Sequence, residues 1–147
     1  MTSTILRSTL AALVCTAAIA LASPSMAATV NLKATLNASS EVPPIASSAS
    51  GSVTATYDTD SKKLTWKGSY SGLSGPAAAA HFHGPAEVGK NGGVAVPIFA
   101  GEAAKTPFEG SATLTDAQAA DLLAGKYYVN IHTAANKGGE IRGQITK

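Results

Sequence analysis

Apolar and polar residues alternate with a period of two along most of this chain, the period of an extended strand that buries one face. Val30, Leu32, Ala34 and Leu36 alternate with Asn31, Lys33 and Thr35. Val53, Ala55 and Tyr57 alternate with Thr54 and Thr56, and Leu64 and Trp66 with Thr65 and Lys67. Shorter runs follow at 78–83, 94–99 and 108–114. Tyr127, Val129 and Ile131 then alternate with Tyr128, Asn130 and His132, and Ile141 and Ile145 close the series around Arg142 and Gln144. Turn-forming residues separate the runs: Asp58-Thr59-Asp60, Ser74-Gly75-Pro76, Gly84-Pro85, Asn91-Gly92-Gly93 and Gly138-Gly139. Ala38 to Ser50, with Pro43-Pro44 and many serines, reads as a long connection along one edge.

One segment departs from the pattern. Thr115-Asp116-Ala117-Gln118 is a capping box, which opens a short helix burying Ala119, Leu122 and Leu123 and ending at Gly125. Eight short strands and one short helix predict an all-β fold, an antiparallel β-sandwich of Greek-key type. No internal repeat and no second globular domain is expected.

The N-terminus follows a different rule. Arg7 precedes an uncharged apolar stretch from Leu10 to Leu21, the length of a signal-peptide core and too short to span a bilayer as a helix. Pro24 breaks that segment, and Ser25-Met26-Ala27 supplies small residues at the −3 and −1 positions of a cleavage site. Residues 1–27 are therefore expected to be a secretory signal peptide and 28–147 the mature domain. Cys15 lies inside the apolar run and follows Val14, which argues against a lipidated cysteine. The expected location is the periplasm or the extracellular medium.

Cleavage removes Cys15, the only cysteine, so thiol chemistry and disulfides are excluded from residues 28–147. It also removes Arg7, leaving 10 of the 11 basic residues against 9 acidic ones. A charge so balanced, with no basic stripe, argues against nucleic acid as a partner. No later stretch is long or apolar enough for a membrane span.

Three histidines are the candidate chemistry. His81 and His83 are two apart on a strand, so both imidazoles face one way and Phe82, a core residue, faces the other. By the same rule Val129 and Ile131 point inward, and His132 outward beside Asn130 and Tyr128. If the two strands are neighbours, the three imidazoles converge. Three neutral imidazoles suit Cu(II), Cu(I), Zn or Ni, export favours copper with zinc as the alternative, and Glu87, Glu140 and Asn130 are candidates for the fourth position or for partners behind the ligands. The competing reading gives the histidines structural work, tying the Gly84-Pro85 and Thr133–Asn136 loops to neighbouring backbone.

No catalytic set accompanies them. There is no nucleophile elbow, and Gly89-Lys90-Asn91-Gly92-Gly93 lacks the strand and helix of a phosphate loop, reading as a hairpin turn. Glu140 and Arg142 share a strand face as an expected exposed or edge ion pair. Trp66 is expected in the core.

The segments SSEVPPIASSASGSVTATYDTDSKKLTW, SGLSGPAAAAHFHGPAEVGKNGGVAVPI and YYVNIHTAANKGGEIRGQI resemble the CHRD (chordin-type) domain, over about Thr29 to Thr146. The most specific parts are His81-Phe82-His83-Gly84-Pro85, Asn130-Ile131-His132-Thr133 and Gly139-Glu140-Ile141-Arg142-Gly143-Gln144. Lys137 stands where that family usually has Pro. The resemblance implies an extracellular β-sandwich and no enzyme, with an extracellular protein as a partner in the interaction-module reading. The His-x-His strand is also similar to that of Cu/Zn superoxide dismutase, but the single trio of histidines and the absent disulfide pair separate the two. The expected function is metal binding, of copper before zinc, through His81, His83 and His132. A structural or interaction module is the alternative, followed by a dismutase-like enzyme.

Overall fold

A computed structural model describes residues 28–101 and 105–147. The signal-peptide expectation for 1–27 lies outside the described residues. The strands are β1 (Thr29–Asn37), β2 (Ser50–Asp58), β3 (Lys63–Ser71), β4 (Ala77–His83), β5 (Val94–Ala100), β6 (Phe108–Thr113), β7 (Tyr128–Thr133) and β8 (Ile141–Gln144). The helix α1 spans Asp116–Leu123, between β6 and β7. Every run of period-two alternation has become a strand.

All pairings are antiparallel, in one sheet of order β5-β4-β7-β8-β1-β2-β3-β6. β1 and β2 pair over their full length from Thr29↔Asp58 to Asn37↔Ser50, which holds Leu32, Ala34 and Leu36 on the same face as Val53, Ala55 and Tyr57. The join between β8 and β1 is thin. It consists of Asn37↔Arg142 and a reciprocal bridge, Lys33 N–H to the Thr146 carbonyl at 2.8 Å and Thr146 N–H to the Lys33 carbonyl at 2.9 Å. About that join the sheet folds over on itself into a sandwich that is nearly a barrel. Trp66 of β3 meets Phe82 of β4 edge-on, ring centroids 5.2 Å apart, although the two strands are not neighbours in the sheet. At the two free ends, Phe99 of β5 and Phe108 of β6 pack edge-on at 5.3 Å.

The capping box forms as the sequence predicts. The Thr115 hydroxyl accepts from the Gln118 N–H, and the Gln118 side chain accepts from the Thr115 N–H. The Gln118 amide also donates to the Ala95 carbonyl, holding α1 against the β5 edge. Ala119 and Leu122 are buried and Leu123 is partly so. Gly125 follows with φ of +74°, a conformation that stops a helix readily only with glycine.

Two expectations change. The 38–49 connection does not run along an edge but crosses the outer face of β7 and β8, where Glu41 meets Asn130 and Ser47 meets Glu140. Glu140 and Arg142 are not an exposed pair. Both are buried beneath that connection and the 84–93 loop, and each has its own partners.

Phe82 is completely buried at the centre of the core. Phe82→Ala should therefore lower unfolding free energy by about 3–5 kcal/mol, read as a shifted urea midpoint.

Candidate metal centre

The alternation in β4 sends Ala80 and Phe82 into the core and His81 and His83 to the outer face, where both are half-buried. β7 does the same with Val129 and Ile131 against Tyr128, Asn130 and His132. The pairing of β4 with β7 sets Ala79 opposite His132, His81 opposite Asn130 and His83 opposite Tyr128. His132 is thus diagonal to His81, and the rings form a triangle with centroid separations of 5.1, 5.4 and 5.8 Å.

One nitrogen from each ring lies within 4.8 Å of the others. Among the described residues, this is the group of three or more His, Cys, Asp or Glu that can hold a metal ion. Ligands about 2 Å from a common ion are no more than about 4 Å apart. The closest pair, His81 Nδ1 and His132 Nε2, already stands at 3.1 Å. The triangle must contract slightly around an ion.

Two backbone carbonyls orient the rings. His83 Nδ1 is 3.1 Å from the Gly92 carbonyl, and His132 Nδ1 is 3.0 Å from the Lys137 carbonyl. A carbonyl only accepts, so each Nδ1 carries the proton and each Nε2 keeps its lone pair. His83 Nε2 is buried with no hydrogen-bond partner, and His132 Nε2 faces His81. With no ion present, His81 Nδ1–H donates to His132 Nε2. Were the cluster to hold an ion, His81 would offer one ring nitrogen to it and carry its proton on the other. This is the arrangement by which a metal-binding histidine is held through its other nitrogen. It also keeps the carbonyl identity at position 137 relevant and its side chain irrelevant, so Lys137 preserves the contact.

All three imidazoles are held below the ordinary histidine pKa. Burial is the main cause at each. The neighbouring His132 adds to it at His81 and, with His81 and Arg142, at His83. The hydrogen bonds to Gly92 and Lys137 act in the opposite direction. The neutral, ligating form is favoured at neutral pH.

Around the histidines the outer face carries a buried polar layer. Arg142 is only 2% exposed: its guanidinium lies 3.4 Å over the Tyr128 ring and donates to Asn91 Oδ1 at 2.9 Å and to the Lys90 carbonyl. Tyr128 in turn stacks on His83, 5.0 Å between centroids at 6°. The Tyr128 hydroxyl accepts from Gly92 N–H, the residue whose carbonyl holds His83. Glu41 accepts from the Asn130 amide at 3.0 and 3.1 Å. Burial pushes the Glu41 carboxyl up to about 7 against the opposing pull of Arg142 and Asn130. Glu140 accepts from the Ser74 hydroxyl at 2.6 Å, Ser74 N–H at 2.8 Å, Thr133 at 2.8 Å and Ser47 at 3.0 Å. Burial alone would raise its pKa, yet these donors bring it down to about 2. A Cβ at position 139 would lie 2.2 Å from Asn130 Oδ1, so Gly139, with φ of +130°, is needed for this layer to close.

The expected site residues thus meet, and neither Glu87 nor Glu140 joins their group. Glu87 is exposed and pairs loosely with Lys126 at 4.0 Å, Glu140 is taken by hydroxyls, and the Asn130 amide nitrogen donates to Glu41 while its Oδ1 has no partner. Arg142, Tyr128 and Glu41 were not singled out as site residues by the sequence. All three fall within the CHRD-like segments, Glu41 in SSEVPP, Tyr128 in YYVNIHT and Arg142 in GEIRGQ, but nothing local marks their role.

The family model of the CHRD domain matches residues 32–145, so the chain belongs to the CHRD domain family. No curated protein and no solved structure matches it.

The two buried carboxyls give opposite pH signatures. Glu140 is lowered from 4.5 to about 2, so its stabilisation is complete above about pH 5 and lost as pH falls towards 2. The loss should amount to about 3 kcal/mol and be absent from Glu140→Gln, whose stability is lower throughout. Glu41 is raised to about 7, so its neutral form favours folding below about pH 4.5 and that contribution fades as pH rises through 7. Glu41→Gln should flatten that limb in urea denaturation at stepped pH.

Proposed function

We propose that this CHRD-family protein is an exported metal-binding protein that takes copper, with zinc as the competing ion, through His81, His83 and His132. Its task in this reading is storage, delivery or resistance, without turnover. The observation that supports it most directly is the buried, unpartnered His83 Nε2, facing two other imidazoles while Gly92 fixes the tautomer. A buried polar nitrogen with no partner is costly, and a cation at this position satisfies it together with its two neighbours. Three nitrogen ligands and one remaining position suit copper or zinc.

A second reading has its own observation. The Nδ1 atoms of His83 and His132 tie the 84–93 and 134–140 loops to the sheet, as an interaction module with structural histidines would require. The two roles use different nitrogens and separate experimentally. Calorimetric titration of residues 28–147 with Cu(II) and Zn(II) should show one site in the wild type and none in His81→Ala. Bound metal at a hundredfold its Kd adds about 2.7 kcal/mol to stability, so the wild-type Tm should rise by several degrees. A Tm that metal leaves unmoved, with His132→Ala lowering the metal-free Tm, would favour the structural reading.

A further inference from the structure

The copper reading leaves open which charge state of the ion the site favours, and the surrounding charges bear on it. The three ligands are neutral and bring no negative charge to the ion. The carboxylates of Glu140 and Glu41 keep their charge but are committed to Ser74, Thr133, Ser47, Asn136 and Asn130 donors, and neither is among the charges that act on the three imidazoles. Behind the histidines instead lies a fixed cation. His83 comes from β4 and Arg142 from β8, the strands on either side of β7, so the Tyr128 ring lies between an imidazole and a guanidinium. Arg142 cannot withdraw, because it is buried, anchored to Asn91 and Lys90, and always charged.

The geometry points to Arg142 as a charge-selecting residue that biases the three-histidine site towards monovalent copper over divalent ions. This rests on the metal-binding reading above. Each added unit of charge on the ion meets the same repulsion from the guanidinium, so a divalent ion suffers about twice the penalty of Cu(I). Coordination leans the same way. Zinc sites are almost always four-coordinate, whereas a filled-shell monovalent ion tolerates three nitrogen ligands and needs less compensating charge. A divalent ion here would require an anion in the fourth position.

The test compares Cu(I) affinity, from anaerobic competition with a chromogenic Cu(I) chelator, with Zn(II) affinity, from competition with a zinc indicator. Both are measured at pH 8 in buffer free of coordinating anions. Arg142→Met should raise Zn(II) affinity relative to Cu(I) by about tenfold, the effect of one nearby charge after solvent screening. Arg142→Lys, which keeps the charge, should leave the ratio close to wild type. If Arg142→Met does not fold, Arg142→Gln, which also removes the charge but keeps donors for Asn91 and Lys90, serves in its place and should move the ratio the same way. An unchanged ratio in whichever of the two neutral variants folds overturns the inference even if both metals bind. Binding of neither ion by the wild type overturns the metal-binding reading itself.

Discussion

Almost everything at the outer face depends on one pairing, β4 against β7. These strands are far apart in sequence, separated by β5, β6 and α1, and the hydrophobic core selects their register. Phe82 and Val129 are opposite one another and fully buried, as are Ala80 and Ile131. A slip of one residue would turn Phe82 outward and bring His81 and His83 into the core, exchanging a large apolar gain for the desolvation of two imidazoles. The core thus fixes the outer face indirectly: with Phe82 in, the histidines must be out, and with Ile131 in, His132 must join them. The triangle of imidazoles follows from apolar packing on the opposite side of the sheet.

That is also why so much of the fold was legible. Strand period, turn residues and the Thr115–Gln118 capping box are local signals, and each produced the element expected of it. The facing of His81, His83 and His132 was legible too, because alternation needs only one known core residue per strand. What was not legible was the covering of β7 and β8. Glu140, just before β8, and Arg142 within it have the outward parity of a solvent-facing pair, and parity carries no information about what lies above a sheet. The 38–49 and 84–93 segments have no periodic pattern, so nothing local predicts that they lie across Asn130 and Arg142 and convert an exposed face into a buried polar layer.

The layer is consistent with the strong rule that buried polar groups find partners. Arg142, Glu140, Thr133 and Asn130 all have hydrogen bonds despite near-complete burial. Against this background the partnerless His83 Nε2 stands out, since its own ring is otherwise well anchored. Trp66 Nε1 and Asn130 Oδ1 share that status, but each adjoins a glycine that admits close contact, Gly110 and Gly139 respectively. His83 differs in that its ring belongs to the three-imidazole cluster that could hold a metal ion.

The structural and metal-binding roles of the histidines are therefore less opposed than sequence reasoning makes them. An imidazole has two nitrogens, and here each ring of His83 and His132 uses Nδ1 to hold a loop and leaves Nε2 towards the cluster. The loop contacts fix the tautomer, and the tautomer makes the cluster able to bind a cation. The buried layer extends that logic outward. Tyr128 bonds Gly92, Arg142 covers Tyr128 and bonds Asn91, and the 84–93 loop is thereby fixed at several points close to His83. A carbonyl held this firmly leaves the His83 imidazole little freedom to turn, so less ordering entropy would remain to be lost on binding a cation. Rigidity of the polar layer and readiness of the histidines are then one property of the fold.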